Sequence, residues 1–435
     1  MSRAFVVATW RIPSLARLTR SYSAVSPGQH QTPIVDELWK RRAERAEKGT
    51  SSPRKAEYVK RSLSAKSPEQ SATSITYDFT KPGNEALVDR YRNPWGLLRA
   101  GRLLEDLDAL AGTVAYQHCR SENPEDEDLH IVTASVDRIK YLARPSLDED
   151  FSLSGQVSWV GRSSMEIQMC AQVKDSKEPF LVSYFTFVAR DPSTGRAAEI
   201  NPLKISGKEE EERFEKGKQR DAVRKQQRQA VKQSAVGRAL SVDGIAAATE
   251  LLDTAKTLQM MPSLAQNDEI FLAETRLQNT LTAMPQHRNT AGRIFGGFLM
   301  RRAYELAHAT AYLFGGRKPV FHELDEVTFR APVEQGDLLR LDSCVLYTSA
   351  KMDPAGLATV HVAVIATVLT PEKRKTLVSN TFNFTFGLSA DGKGGKSALA
   401  KDIHLRRVLP SSLEEAYRII EAYENDLRQR QDDME

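Results

Sequence analysis

The segment "NPWGLLRAG" at 93–101 returns as "NTAGRIFGG" at 289–297, with Asn, two residues, Gly, three residues, a small residue and Gly in both. An apolar helical stretch follows each copy, "RLLEDLDALAGTVAYQH" at 102–118 and "FLMRRAYELAHATAYLF" at 298–314. Strand-like runs then follow each helix in the same order, at 129–141, 151–161, 163–173 and 180–189, and again at 319–330, 337–348, 357–370 and 376–387. They are rich in Val, Ile, Phe and Ser and often alternate with period two. "DRIKYLARP" at 137–145 answers "DEVTFRAP" at 325–332, and "LVSYFTF" at 181–187 answers "LVSNTFNF" at 377–384. Chance likeness between two helix starts does not reproduce a whole run of strands. The chain is two copies of one unit of about 120 residues, a usual domain size.

Each unit reads as one long helix followed by a meander of antiparallel strands, with one more strand before the helix. In the second helix Phe298, Leu299, Met300, Ala303, Tyr304, Leu306, Ala307 and Tyr312 cover most of the circumference. A helix that is apolar nearly all round must be enclosed. A curved antiparallel sheet wrapping one central helix does this. The expected class is therefore α+β, two tandem hotdog domains, at 81–206 and 266–400. Between them, 207–265 is dense in charges of both signs and reads as a solvated helical linker. Glu209–Arg213 and Glu212–Lys216 have the favourable i,i+4 order. Residues 23–80, rich in Ser, Pro, Lys and Glu, read as flexible. In the extension at 401–435, Ser411 and Glu414 have capping-box spacing and predict a terminal helix.

Residues 1–22 carry Arg3, Arg11, Arg17 and Arg20 and no acid, the composition of a mitochondrial transit peptide. Those four arginines account for the whole formal charge of +4, so the remainder is neutral and no nucleic-acid partner is expected. The three cysteines, Cys119, Cys170 and Cys344, form no CxxC pair, which argues against a disulfide scaffold or a cysteine zinc site. The longest strongly apolar run, 357–370, is too short to span a bilayer. The histidines are scattered, with no HExxH, GxSxG or P-loop pattern, so no metal is expected.

The paired glycines at the start of the second helix suggest chemistry. A helix N-terminus offers unpaired N–H groups and a partial positive charge, and glycine lets a ligand approach them. Gly296 and Gly297 suit an oxyanion; a tight helix–sheet contact would equally demand glycine. Seven residues beyond Gly101, nearly two turns along the same face, stands Asp108. A carboxylate inside an apolar helix is expensive without a purpose. The same step from Gly297 reaches Tyr304, with Glu305 next to it.

"HRNTAGRIFGGFLM" and the helix after it, with "GRLLEDLDALAG" and the N-terminal arginines, resemble the mitochondrial double-hotdog acyl-CoA thioesterases of the acyl-CoA thioesterase 9 group. The resemblance covers roughly 85–400. It implies hydrolysis of acyl-CoA to free fatty acid and coenzyme A in the mitochondrial matrix, without a cofactor. It also implies that Asp108 and Asn289 are catalytic and that the acid of one unit faces the glycine end of the other. Asp108 would act as general base or as nucleophile. The site of Asp108, Asn289, Gly296 and Gly297 is complete. The reciprocal one, Asn93, Ala100 and Gly101 with Tyr304 or Glu305, departs from the pattern and is expected to be vestigial. Coenzyme A phosphates make Arg293, Arg301 and Arg302 candidate contacts. Intramolecular pairing of the units is expected, with a homo-oligomer possible. The competing readings are an inactive double hotdog that binds acyl-CoA or serves as a scaffold, and a dehydratase. The latter would want a helix histidine, and His308 lies eleven residues past Gly297.

Overall fold

The computed structural model describes residues 63–123, 129–234, 240–264, 268–288, 293–349, 357–389 and 405–432. The expected transit peptide at 1–22 and the candidate Asn289 lie outside them. The first unit comprises β1 (Thr73–Tyr77), α1 (Glu85–Tyr91), α2 (Ala100–Cys119), β2 (His130–Val136), β3 (Ile139–Tyr141), β4 (Phe151–Val160), β5 (Ser164–Val173) and β6 (Leu181–Arg190). Helices α3 (Lys208–Gln233) and α4 (Val242–Met260) and the short β7 (Glu269–Phe271) follow. The second unit repeats the order with β8 (Leu277–Thr282), α5 (Gly296–Gly315), β9 (Lys318–Leu324), β10 (Val327–Thr328), β11 (Leu338–Ser349), β12 (Ala358–Thr370) and β13 (Lys375–Ser389). The chain closes with β14 (Arg407–Leu409), parallel to β7, and α6 (Leu413–Asp432).

Twelve strands form one sheet, in the order β1-β4-β5-β6-β3-β9-β13-β12-β11-β8, with β2 paired to β6 and β10. The units meet edge to edge: Val136 opposes Val327 on β2 and β10, and Ile139 opposes Leu324 on β3 and β9. Each unit lends its second short strand to the first of its twin, an arrangement related by an approximate two-fold axis. The two central helices pack against each other inside the sheet, which makes the pair of hotdogs one closed body. Every residue of α2 from Ala100 to Ala111 is buried, four charged ones included.

Three expectations need correction. Residues 73–77 lie within the segment read as flexible, yet they form β1 and pair with β4 from Thr73–Gly155 to Tyr77–Phe151. In "TSITY" only Tyr77 is fully buried, so its apolar signal is weak; the strand is held by its neighbour. The segment at 207–265 is more than a solvated linker. One face of α3 is docked on the first unit: Arg224 bonds Asp137 and Glu166, Arg220 bonds Glu166, and Gly217 lies against Trp159. Helix α4 packs instead on α6 through Ala248, Leu252 and Ala416. The cap of α6 is also one residue later than expected. The Ser412 hydroxyl accepts from the Glu415 N–H at 3.3 Å, and Glu415 accepts from the Ser411 N–H at 2.7 Å.

Candidate active site

Four charged side chains within an enclosed stretch of helix each need a partner or a purpose. Asp106 accepts hydrogen bonds from the hydroxyls of Tyr77, at 2.7 Å, and Tyr91. Arg102 bonds Glu105 at 3.3 Å, and Glu105 reaches Arg301 of α5 at 3.0 Å. These three are structural. Asp108 is bonded differently. Its Oδ2 accepts from the backbone N–H of Gly297, in the first turn of the other central helix, at 2.6 Å. Its Oδ1 accepts from the Thr133 hydroxyl on β2 at 3.0 Å.

The packing shows why glycine stands at both positions. A Cβ on Gly297 would lie 2.9 Å from Asp108 Cβ and from the Glu105 Cα and carbonyl oxygen. One on Gly296 would lie 2.9 Å from the ring tip of Phe329 and 3.3 Å from Asp108 Oδ2. The two explanations of the glycine pair therefore coincide at Gly297. Close approach of α2 is what brings its carboxylate to the free amide at the mouth of α5.

Burial raises the Asp108 carboxyl from 3.8 to about 6; the Gly297 and Thr133 hydrogen bonds pull it down, and the nearby Glu105 pushes it up. It is thus ionised at neutral pH, yet far more basic than a surface aspartate. A carboxylate with that basicity, two donors holding it in place and a helix N-terminus beside it can accept a proton from water or attack a carbonyl directly. Thr133 is invisible to a sequence reading, because a threonine in a period-two strand is ordinary.

The reciprocal position is built from other material. Tyr304 stands over Gly101, where a Cβ would lie 2.9 Å from Tyr304 Cδ1. The Tyr304 ring contacts Phe321, Phe384 and Phe386, and burial raises its hydroxyl well above the usual range. Glu305 points away, into Arg99, Arg301 and Arg302. Burial works against its carboxylate, but these arginines outweigh that and hold it below the usual range. The Asn93 side chain accepts from the Trp95 and Leu97 N–H groups at 2.9 Å each and closes its own loop. That loop is bridged at Arg92–Leu98, as its twin is at Arg288–Ile294.

The candidate coenzyme A contacts have acidic partners within the protein. Arg301 joins Glu105 to Glu305, Arg302 bonds Glu305 at 2.7 Å, and Arg293 bonds Glu334 at 3.2 Å. His287 stacks on Phe298 at 3.9 Å. Burial, then Arg301 and Arg302, push it down to about 4, so it is neutral at physiological pH. His308 stacks on Trp95 at 5.5 Å. Among the described residues no cluster of His, Cys, Asp and Glu could hold a metal ion, and no helix is long and apolar enough to cross a membrane.

Residues 96–179 match the model of the Thioesterase superfamily. The chain is 41% identical over 405 residues to the mitochondrial acyl-coenzyme A thioesterase 4 of Humulus lupulus, covering 91% of this chain and 73% of that one. It is 40% identical to the chloroplastic acyl-coenzyme A thioesterase 2 of the same plant, covering 91% and 89%. To the mitochondrial acyl-coenzyme A thioesterase 9 of Mus musculus it is 37% identical over 309 residues, covering 69% and 68%.

Proposed function

The chain belongs to the acyl-coenzyme A thioesterases, and from that premise we infer that the Asp108–Gly297 pocket hydrolyses acyl-CoA to free fatty acid and coenzyme A. The observation that carries this reading is the 2.6 Å bond between the carboxylate of one unit and the open amide of the other. It joins a base and an oxyanion donor across a duplicated fold.

In the free enzyme the Gly297 N–H is engaged by Asp108. An arriving thioester carbonyl competes for that donor and for the N–H of Gly296. As it takes over the Gly297 amide, Asp108 loses a bond that lowers its pKa and becomes the stronger base as substrate arrives. The same amide then stabilises the oxyanion, an effect worth about 100- to 1,000-fold for a single donor. Asp108 supplies the attacking oxygen in one of two ways: it deprotonates a water, whose proton passes to the departing sulfur, or its own carboxylate expels the thiolate to form a mixed anhydride that water then cleaves, the released proton going to the sulfur; in both, coenzyme A leaves as the thiol. Asn289 holds the water or the carbonyl. The reciprocal pocket, with Tyr304 in place of the acid, is silent.

A mitochondrial setting is supported by the names of acyl-coenzyme A thioesterase 4 of Humulus lupulus and acyl-coenzyme A thioesterase 9 of Mus musculus, though the second Humulus lupulus relative is named chloroplastic, and the matrix by the arginine-rich, acid-free composition of residues 1–22. Thiol release by purified protein tests the site. Asp108→Ala and Asn289→Ala each lower the rate by about 100-fold or more, while Tyr304→Phe changes it by less than about twofold. Single turnover in ¹⁸O-labelled water tests the routes: direct attack by water leaves Asp108 unlabelled, whereas a mixed anhydride cleaved at the Asp108 carboxyl carbon leaves label there. Asp108→Ala hydrolysing at the rate of the unsubstituted chain would end the reading.

A further inference from the structure

The Phe329 ring lies immediately over Gly296. Its Cζ and Cε1 are 2.9 Å and 3.1 Å from where a Cβ on that glycine would sit, and Asp108 Oδ2 is 3.3 Å from the same point. The ring thus fills space within reach of both the carboxylate and the mouth of α5. Its backbone is fixed independently of the ring. The Phe329 N–H donates to the Ala134 carbonyl at 3.0 Å, and Thr328, just before it, pairs with Ser135. Ala134 follows Thr133, the residue that holds Asp108. One short stretch of β2 therefore anchors the carboxylate and the aromatic together. The ring is only half-buried, unlike the fully enclosed Phe382 and Phe384 of the same unit.

The duplication gives an internal comparison. In "DRIKYLARP" and "DEVTFRAP" the position of Phe329 is held by Tyr141. Tyr141 packs edge-on against Phe321 at 5.0 Å and against Phe180 at 6.0 Å, and Phe321 in turn packs on Tyr304. In the silent half, an aromatic at this position is locked into a cluster around the residue that replaced the acid. In the active half the equivalent ring rests on a glycine, with a carboxylate as its neighbour.

We propose that Phe329 is the specificity-determining gate of the thioesterase site. The ring fills the Cβ side of Gly296, so a thioester carbonyl that comes to Gly296 from that side must displace it. The bulk it tolerates beside the carbonyl carbon then decides which acyl groups react. The acyl part of the substrate is sorted at its first carbons, where straight and branched chains differ. This rests on the assignment of the Asp108–Gly297 pocket as the hydrolytic site.

The test is the ratio of kcat/KM for isobutyryl-CoA to that for acetyl-CoA, measured by thiol release with the full chain. Phe329→Ala raises the ratio by about tenfold or more, the scale on which pockets discriminate small apolar differences. Phe329→Leu, which keeps more of the apolar volume, gives a smaller shift in the same direction, and Phe329→Trp lowers the ratio. Because Leu keeps most of the apolar volume, a folding defect in the alanine variant leaves the series readable. A ratio unchanged within about twofold across the series, with both rates falling together, overturns the gate and leaves a packing role. If the unsubstituted chain hydrolyses acyl-CoA and Asp108→Ala does not, that outcome bears on the gate alone. If the unsubstituted chain releases no thiol from any acyl-CoA, the site assignment fails and the gate falls with it.

Discussion

Asp108 sits in a position that opposes its own charge. Raising its carboxyl from 3.8 to about 6 costs the folded chain about 3 kcal/mol at neutral pH. Because the folded-state value is the higher one, that penalty is complete above pH 6 and fades as pH falls toward 4. Asp108→Asn, which retains an acceptor for Gly297, is therefore expected to raise Tm at pH 7.5 and to lose that advantage near pH 4. With Asp108 as the proposed base, catalysis has the opposite dependence. The base must be ionised, so kcat/KM falls as pH drops through about 6, which a pH–rate profile reads directly. The two glycines at helix starts separate packing from chemistry. Gly297→Ala meets the Glu105 backbone and Asp108 Cβ at 2.9 Å, whereas Gly101→Ala meets chiefly the Tyr304 ring. Gly297→Ala should destabilise by about 1–3 kcal/mol and abolish activity, with Gly101→Ala milder in both; thermal denaturation and thiol release check this. Counting seven residues from Gly101 finds Asp108 because helical periodicity carries across a buried face. Nothing of the kind finds Thr133 or Phe329, since both reach the pocket through strand pairing between distant segments.

At the scale of elements, the sequence is most legible where periodicity is strong and least where an element depends on a neighbour. The central helices and the long strands of both units stand out by pattern and by repetition. Strand β1 does not, because its stability comes from pairing with β4 and from the Tyr77–Asp106 bond rather than from its own apolar residues. Helix α3 misleads for a different reason. Its composition is that of a solvated helix, but two of its arginines cover acids that lie in the first unit. Glu166 is 0% exposed and Arg224 only 6%. Removing the cation leaves a carboxylate without one of its two arginine partners in a buried setting. Arg224→Ala is expected to destabilise by about 3–5 kcal/mol, and a charge-free pair, Arg224→Met with Glu166→Leu, to recover much of the loss. Urea unfolding of the single and double variants reads both values, and equal loss in the two would place the source at Asp137, the other acid that Arg224 bonds.

Across the whole molecule, the two-fold relation between the units makes the scaffold depend on both copies. Pairing β2 with β10 and β3 with β9 needs both sheets, and packing α2 against α5 needs both helices. The pocket proposed to be silent, where Tyr304 stands over Gly101, therefore still serves the scaffold. The division of the intervening segment follows the same logic: α3 serves the first unit and α4, through α6, the second. A cleavable site placed between Gln233 and Val242 would leave each half with its own covering helix.

One contact on the symmetry axis decides what such halves could do. Glu105 and Arg301 occupy corresponding places in the two copies, four residues beyond Gly101 and Gly297, and they face each other at 3.0 Å. In a union of two identical halves, acid would meet acid or guanidinium would meet guanidinium at that spot. The contact is complementary only between unlike halves, a lock and key held within one polypeptide. Separated halves should seek their complement and shun their own kind, which size-exclusion chromatography of each fragment alone and of the mixture would reveal.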